Sequence, residues 1–489
     1  MREVLRAIFK TGSGSGAQLL FTAITSKILA AVLGPSGIGL YSMLAQVQQT
    51  GIIAGTASGG PALIQGIASK KNDARDQYVA SVFWIYVGGT LLTAAILVTL
   101  APWIADWTLG TRDASIVGLM RWLAVPLAFG ILQSFLFSTL NGFRAIGRLA
   151  IAQVTASATV ALFSYPLALA IEKGQLFWFI ILMSVGLLTS SILGIAFAFR
   201  KGWLEPITSR GFRPSINRDS ARHFFSISGT LFATGLLASL VMVAVRSIII
   251  QHFSLSDAGI FNVAWTICMT YSMVILGSFG TYYLPTLSKT NDPKVKNKLM
   301  VDMFRVSTLL LAPIIIAVII LKPAFIELLY SGDFIASLTI LRWMLIADYL
   351  KAASWVLGYP MVAYADMRRY VVMESLWQVG FLTASIISLI QFGSVEGVGI
   401  GFMALYVILF VYSLHYARIY HAFTFPKRIA ATWLLGLGLI ILASAMTWSS
   451  GDIDWKVILF WIPVLIAFIA LALTSHERRQ LRVLVARRE

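Results

Sequence analysis

The sequence predicts an all-α polytopic membrane protein, and three observations carry that prediction. Of the 489 residues, 58% are hydrophobic and only 12% are charged, with a mean hydropathy of +0.82. Soluble domains carry about twice that share of charge. Fourteen apolar stretches of about 20 residues follow one another, each long enough to cross a bilayer as a helix. They run continuously rather than alternating, which argues against a membrane β-barrel. The basic residues are distributed by side, as set out below.

The expected spans are 13–33, 38–66, 78–101, 116–138, 150–171, 176–199, 224–250, 258–287, 302–322, 338–364, 370–391, 397–417, 428–447 and 455–473. Both termini and the even-numbered connections hold 28 of the 38 Lys and Arg residues. The odd-numbered connections hold four: Arg112, Lys173, Lys322 and Lys456. By the positive-inside rule both termini are cytoplasmic, and the number of spans is even. This sidedness also explains the net charge of +17 without nucleic acid.

The first hairpin organises the rest. Its first apolar segment carries Lys27, a Gly34-Pro35-Ser36-Gly37 turn follows, and a second apolar segment starts at Gly39-Leu40-Tyr41. An ion inside such a segment costs about 3 kcal/mol on insertion scales, so it faces a cavity or a partner. Lys27 also interrupts the apolar core that a cleaved signal peptide would need. Shifted by 220 residues, Gly39, Leu40 and Tyr41 fall on Gly259, Ile260 and Phe261, and Lys27 falls one residue from Arg246. Each stretch then runs to a Ser-Lys pair, Ser69-Lys70 and Ser288-Lys289. The echo predicts two homologous halves, an architecture that places a transport site at the repeat interface. The expected division is 1–199 (spans 1–6), a cytoplasmic linker 200–223, 224–417 (spans 7–12), and 418–489 (spans 13 and 14 with a basic tail).

The linker, K-G-W-L-E-P-I-T-S-R-G-F-R-P-S-I-N-R-D-S-A, reads either as an amphipathic segment on the inner leaflet or as a solvated loop. The basic tail is suited to anionic lipid. Breakers interrupt two spans at related places, Gly59-Gly60-Pro61 in the second and Gly277, Gly280 and Pro285 in the eighth.

The candidate site residues are the charges inside spans. In the seventh span Ser228, Gly235, Ser239 and Arg246 recur on one helical face, either a cavity wall or a stripe ending in a snorkelling guanidinium. Lys27 shares its face with Gly16, Ala23, Ala30 and Ala31, which line a cavity or allow tight packing. Asp348 and Lys351 of the tenth span are three apart and can touch, as a self-neutralising pair or as one that a substrate or proton opens. Glu374 can pair with Arg368 or serve a coupling cation. Arg121 lies near a span end. Gln46, Gln48, Gln49 and Thr50 give the second span a polar density able to hydrogen-bond sugar or phosphate. Taken together, Lys27, Arg121, Arg246 and Lys351 with Gln46 and Gln49 are candidate ligands for an anionic substrate. Arginine suits phosphate through its forked donors. Asp348 and Glu374 are the candidates for ion coupling. A single cysteine, Cys268, allows no intrachain disulfide, and the five histidines lack ligand spacing. No phosphate loop, metal cluster or nucleophile–base signature occurs, so neither an enzyme nor a cofactor is expected.

The wording T-S-K-I-L-A-A-V-L-G-P-S-G-I-G-L-Y at residues 25–41, the basic residue in the first span, the fourteen spans and the basic central loop resemble the Wzx-type flippases. These belong to the multidrug/oligosaccharidyl-lipid/polysaccharide exporter superfamily, and the O-antigen or enterobacterial-common-antigen branch is the most similar. The resemblance implies a V-shaped fold of two six-helix lobes plus two C-terminal helices. It implies an inner-membrane transporter that moves an undecaprenyl-diphosphate-linked oligosaccharide from the cytoplasmic to the periplasmic leaflet by alternating access, coupled to H+ or Na+. Lys27 and Arg246 would neutralise the diphosphate, and a polysaccharide polymerase and chain-length regulator would be partners. A lipid II flippase, an ion-coupled multidrug antiporter and a non-transporting scaffold of an assembly complex are the alternatives.

Overall fold

The computed structural model describes residues 2–208, 214, 216–290, 292–448 and 454–472. These residues form seventeen α-helices and one 3-10 turn, with no strand among the described residues. The basic tail and most of the linker's centre, 209–213, lie outside the described residues.

Helix α1 (Arg2–Thr56) is two limbs in one, joined at Gly34 with φ 62° and ψ −173°. Glycine adopts that left-handed backbone without strain. Pro35 then opens the second limb, where its fixed φ is already helical and its missing amide costs nothing. The expected four-residue turn therefore contracts to a single non-helical residue. The second limb stops at Thr56, because Ala57 and Ser58 both take positive φ. Helix α2 (Gly60–Ser69) restarts the chain with a proline in its first turn. The Gly59-Gly60-Pro61 breaker thus divides the expected second span, whereas α11 continues through Pro285.

The chain continues through α3 (Asn72–Thr99), α4 (Ala101–Leu109), α5 (Ala114–Trp122), α6 (Ala124–Gly142), α7 (Ile146–Glu172), α8 (Trp178–Phe199), the short α9 (Glu205–Thr208) and α10 (Arg218–His252). It ends with α11 (Leu255–Ser288), α12 (Pro293–Leu329), α13 (Ser337–Ala363), α14 (Met367–Phe392), α15 (Glu396–His421), α16 (Lys427–Met446) and α17 (Trp455–Ala472). Asn217 caps α10 by accepting from the amides of Asp219 and Ser220.

Twelve helical stretches are long and apolar enough to cross a membrane. One of them, Gly16–Ser69, has 54 residues. At about 1.5 Å per residue it suffices for two crossings of a roughly 30 Å core, one on either side of Gly34. Helix α13 is long enough too, but Asp348 and Lys351 dilute its apolar character. Counting both restores the fourteen expected spans. Large apolar side chains such as Leu91, Leu162 and Leu459 point outward, as lipid-facing residues do. Exposed tryptophans Trp103, Trp107, Trp122, Trp178, Trp448 and Trp455 gather at helix ends bordering odd-numbered connections, the place of an interfacial aromatic belt. Lys322, expected in such a connection, lies inside α12, 1% exposed, with its ammonium donating to Thr447.

The chain forms two compact units. The first holds Gly12–Asn262 with Leu329–Asp333, and the second holds Val263–Leu328 and Phe334 onward with the extreme N-terminus. The boundary between these units falls at Asn262. The reason is that α10 packs on α2, α3 and α4 and so joins the first unit.

Candidate functional site

In the first unit the polar stripe of α10 is buried against its neighbours. Ser228 is enclosed, and a Cβ on Gly235 would meet Ser58 Oγ at 3.3 Å. Gln46 of α1 donates to Ser239 Oγ at 3.0 Å, and the Thr50 hydroxyl lies 2.7 Å from the same oxygen. Gln46 thus closes a helix–helix contact in this structure. Burying polar groups among apolar helices demands such cross-helix bonds.

Arg246, one and a half turns from the end of α10, is only 5% exposed. Its Nε and Nη1 are buried without a hydrogen-bond partner among the described residues, and its guanidinium carbon lies 6.0 Å from the Phe261 ring centre. A buried, underused guanidinium is costly, so it is a receptive point for an anion. Lys27 is half-buried on the first limb of α1, and Arg121 is exposed in the last turn of α5.

A large hollow of about 590 Å³ opens elsewhere in this unit, among α1, α6, α7 and α8. Gln48 and Gln49 line it, and so do Gln18, which shares a polar face with Thr22 and Thr25 in the sequence, and Gln133 and Gln153, two residues that sequence reasoning did not single out. Their spacing along the chain carries no common period, so only the fold brings them together.

In the second unit Asp348 and Lys351 form the expected contact, with Lys351 Nζ 3.0 Å from Asp348 Oδ1 and both residues 1% exposed. Lys351 also donates to Ser272 Oγ at 2.8 Å, and the Tyr271 hydroxyl donates to Asp348 Oδ2 at 2.5 Å. Ser272 Oγ in turn donates to the Cys268 carbonyl at 2.6 Å. Helix α11 thus meets the ammonium of Lys351 through Ser272 and the second carboxylate oxygen of Asp348 through Tyr271. A buried ion pair persists only with such completion, because desolvation otherwise outweighs attraction. Tyr271 and Ser272 escape sequence analysis because a tyrosine and a serine in an apolar helix have many roles. Glu374 lies half-buried on α14, beside a smaller hollow of about 170 Å³ lined by Trp355, Tyr359 and Tyr370.

The arrangement offers two kinds of chemistry: a buried cation that can receive an anion, and neutral polar surface around a hollow. Among the described residues no group of three or more His, Cys, Asp or Glu is placed to hold a metal ion.

A family model described as polysaccharide biosynthesis protein matches residues 28–338, more than half of the chain. This chain belongs to the polysaccharide biosynthesis protein family. The matched region of this family member runs from Ile28, the residue after Lys27, to the start of α13. It is 24% identical over 396 residues to the lipid III flippase of Escherichia coli (strain K12), an alignment covering 79% of this chain and 91% of that protein. The Shigella flexneri lipid III flippase matches equally. Two solved structures share the fold at 15% identity and a TM-score of 0.70. One is the lipid II flippase MurJ in an inward closed conformation, covering 98% of this chain and 100% of that one. The other is a multidrug resistance MATE family transporter of the MOP superfamily in an inward-facing conformation, covering 83% and 94%. The expected all-α polytopic architecture is that of these neighbours, and the relatives are flippases and transporters, not enzymes.

Proposed function

We propose that this chain is a flippase for a lipid-linked oligosaccharide of the bacterial inner membrane. It moves an undecaprenyl-diphosphate-linked repeat unit of the O-antigen or enterobacterial-common-antigen kind from the cytoplasmic to the periplasmic leaflet. The observation that carries the reading is Arg246: a buried guanidinium with two unpartnered nitrogens, in a chain whose family is polysaccharide biosynthesis. The lipid III flippase relatives support the substrate class. In this mechanism Arg246 and Lys27 neutralise the diphosphate while the polyprenyl tail stays in the bilayer. The pyrophosphate would otherwise meet a hydrocarbon core that tolerates charge only when paired. Lys351 is held by Asp348 and is released for substrate only when a proton or cation takes its place on the carboxylate, which makes this pair the coupling element. Glu374 is the second candidate for coupling. The basic connections support cytoplasmic termini, and a polymerase and chain-length regulator would take the product.

The test is lipid flipping in proteoliposomes with a short polyprenyl-diphosphate glycan under an imposed ion gradient, wild type beside Lys27→Ala/Arg246→Ala. Transport by wild type and none by the folded double variant is expected. Wild-type protein that transports nothing under these conditions overturns the reading. Lipid II is the second reading, favoured by full coverage of the MurJ structure. A muropeptide-bearing lipid in the same assay separates the two, and preference for it moves the assignment to peptidoglycan precursor transport.

A further inference from the structure

Five of the chain's 13 glutamines line one hollow of the first unit. Gln18, Gln48 and Gln49 come from the two limbs of α1, Gln133 from α6 and Gln153 from α7. We propose that this hollow binds a neutral, hydroxyl-rich ligand, namely the sugar portion of the lipid-linked substrate. The inference deepens the flippase reading and rests on it, since it separates the site for the glycan from the cationic site for the diphosphate.

Three observations converge. Among the described residues no charged side chain lines the hollow, so this lining offers neither a phosphate nor a cationic drug a counter-charge. Its volume of about 590 Å³ lies within the 300–1,000 Å³ of small-molecule sites, room for a saccharide of one to a few rings. And the amides are unspent: of the five, only Gln133 has its side chain hydrogen-bonded among the described residues, to Ser190 Oγ. Polar side chains on membrane-spanning helices usually bond across to a neighbouring helix, as Gln46 does with Ser239. Four amides turned toward a shared space instead present two N–H donors and a carbonyl acceptor each. Sugar hydroxyls both donate and accept, so they match such a wall in either sense. Tyr41, whose ring stacks on Phe179 at 6.4 Å, and Phe137 add apolar surface for the C–H face of a sugar ring.

The experiment uses the full chain in nanodiscs, wild type beside Gln48→Leu/Gln153→Leu. Three probes are measured: N,N′-diacetylchitobiose by saturation-transfer NMR, a polyprenyl diphosphate bearing a neutral disaccharide, and the same lipid without sugar. Wild type is expected to show chitobiose contacts that the variant loses. The variant should bind the glycosylated lipid about tenfold more weakly and the bare lipid as wild type does. If the double variant is not monodisperse, Gln153→Leu alone repeats the measurement. No chitobiose signal with wild type, an equal signal with the variant, or an equal fall for both lipids overturns the glycan site and leaves a water-filled hollow. Glutamine-dependent chitobiose binding with neither lipid bound keeps the saccharide site and overturns the flippase reading instead.

Discussion

Gly39 and Gly259 pack backbone to backbone. A Cβ on Gly39 would stand 1.9 Å from the Leu255 carbonyl oxygen, and one on Gly259 would stand 2.0 Å from the Pro35 carbonyl oxygen. The relation is reciprocal, because the same 220 residues separate Pro35 from Leu255 and Gly39 from Gly259. The second limb of α1 and the first turns of α11 therefore cross at equivalent points, as two copies of one motif would around a local two-fold axis. That contact supports the internal repeat more strongly than the sequence echo does.

Gly39→Ala and Gly259→Ala should each force the two backbones apart, at a cost of about 1–3 kcal/mol for an overpacked contact. Either methyl separates the same crossing, so the double variant should lose little more than the worse single one. Thermal denaturation of the three variants in one detergent checks this. Strictly additive losses would mean that the glycines act at independent contacts.

Asp348→Asn should be severe. It removes the negative charge that offsets the buried Lys351 ammonium and weakens the acceptor for Tyr271, and breaking a buried pair from one side costs about 3–5 kcal/mol. Asp348→Asn/Lys351→Met removes both charges and should recover most of that loss while abolishing gradient-driven transport. A double variant that is stable and still responds to the gradient would take the pair out of coupling.

Ser239→Ala removes the hydroxyl shared by Gln46 and Thr50. Cross-helix bonds of this kind average about 0.6 kcal/mol, so the expected loss is small. A double-mutant cycle with Gln46→Ala should show coupling of that order. Zero coupling would mean that Gln46 faces elsewhere in the membrane-embedded protein.

Asp366, just before α14, accepts from the Arg369 amide and binds its guanidinium at 2.5 Å. Partial burial pushes its carboxyl up, but the hydrogen bonds and charge of Arg369 outweigh that and hold it below its ordinary 3.8. A depressed carboxylate contributes stability above the unfolded value, and that contribution fades as pH falls through the folded one. Asn caps helices as well as Asp, so Asp366→Asn isolates the charge. The difference in Tm between wild type and variant should be flat above about pH 5 and shrink as pH falls below the ordinary carboxylate range. A difference that grows on acidification would reverse the sign of the assignment.

Much of the fold was legible because a bilayer leaves few choices: apolar length sets the crossings. The Asp348–Lys351 contact was legible too, because three residues on one helix are neighbours by geometry alone. Lys322 was misplaced in a connection because Pro323, usually a terminator, sits inside α12. The stripe on α10 read either as a cavity wall or as one ending in a snorkelling guanidinium, and the partners of its Ser239, Gln46 and Thr50 of α1, lie about 190 residues away in the chain. The glutamine-lined hollow was half visible, through Gln48 and Gln49, and its other half was scattered.

By itself the sequence determined the membrane class, the number of crossings, the cationic character of the buried charges and the helix break at Gly34. Each follows from local composition or from the backbone freedom of one residue. Only the tertiary structure decided that Gln46 is spent on Ser239 and that Arg246 keeps two nitrogens unpartnered. It also decided that α10 belongs to the first unit and that five glutamines share one space. Those outcomes depend on which helix faces which, and packing between distant segments has no signature in the order of residues along any one of them.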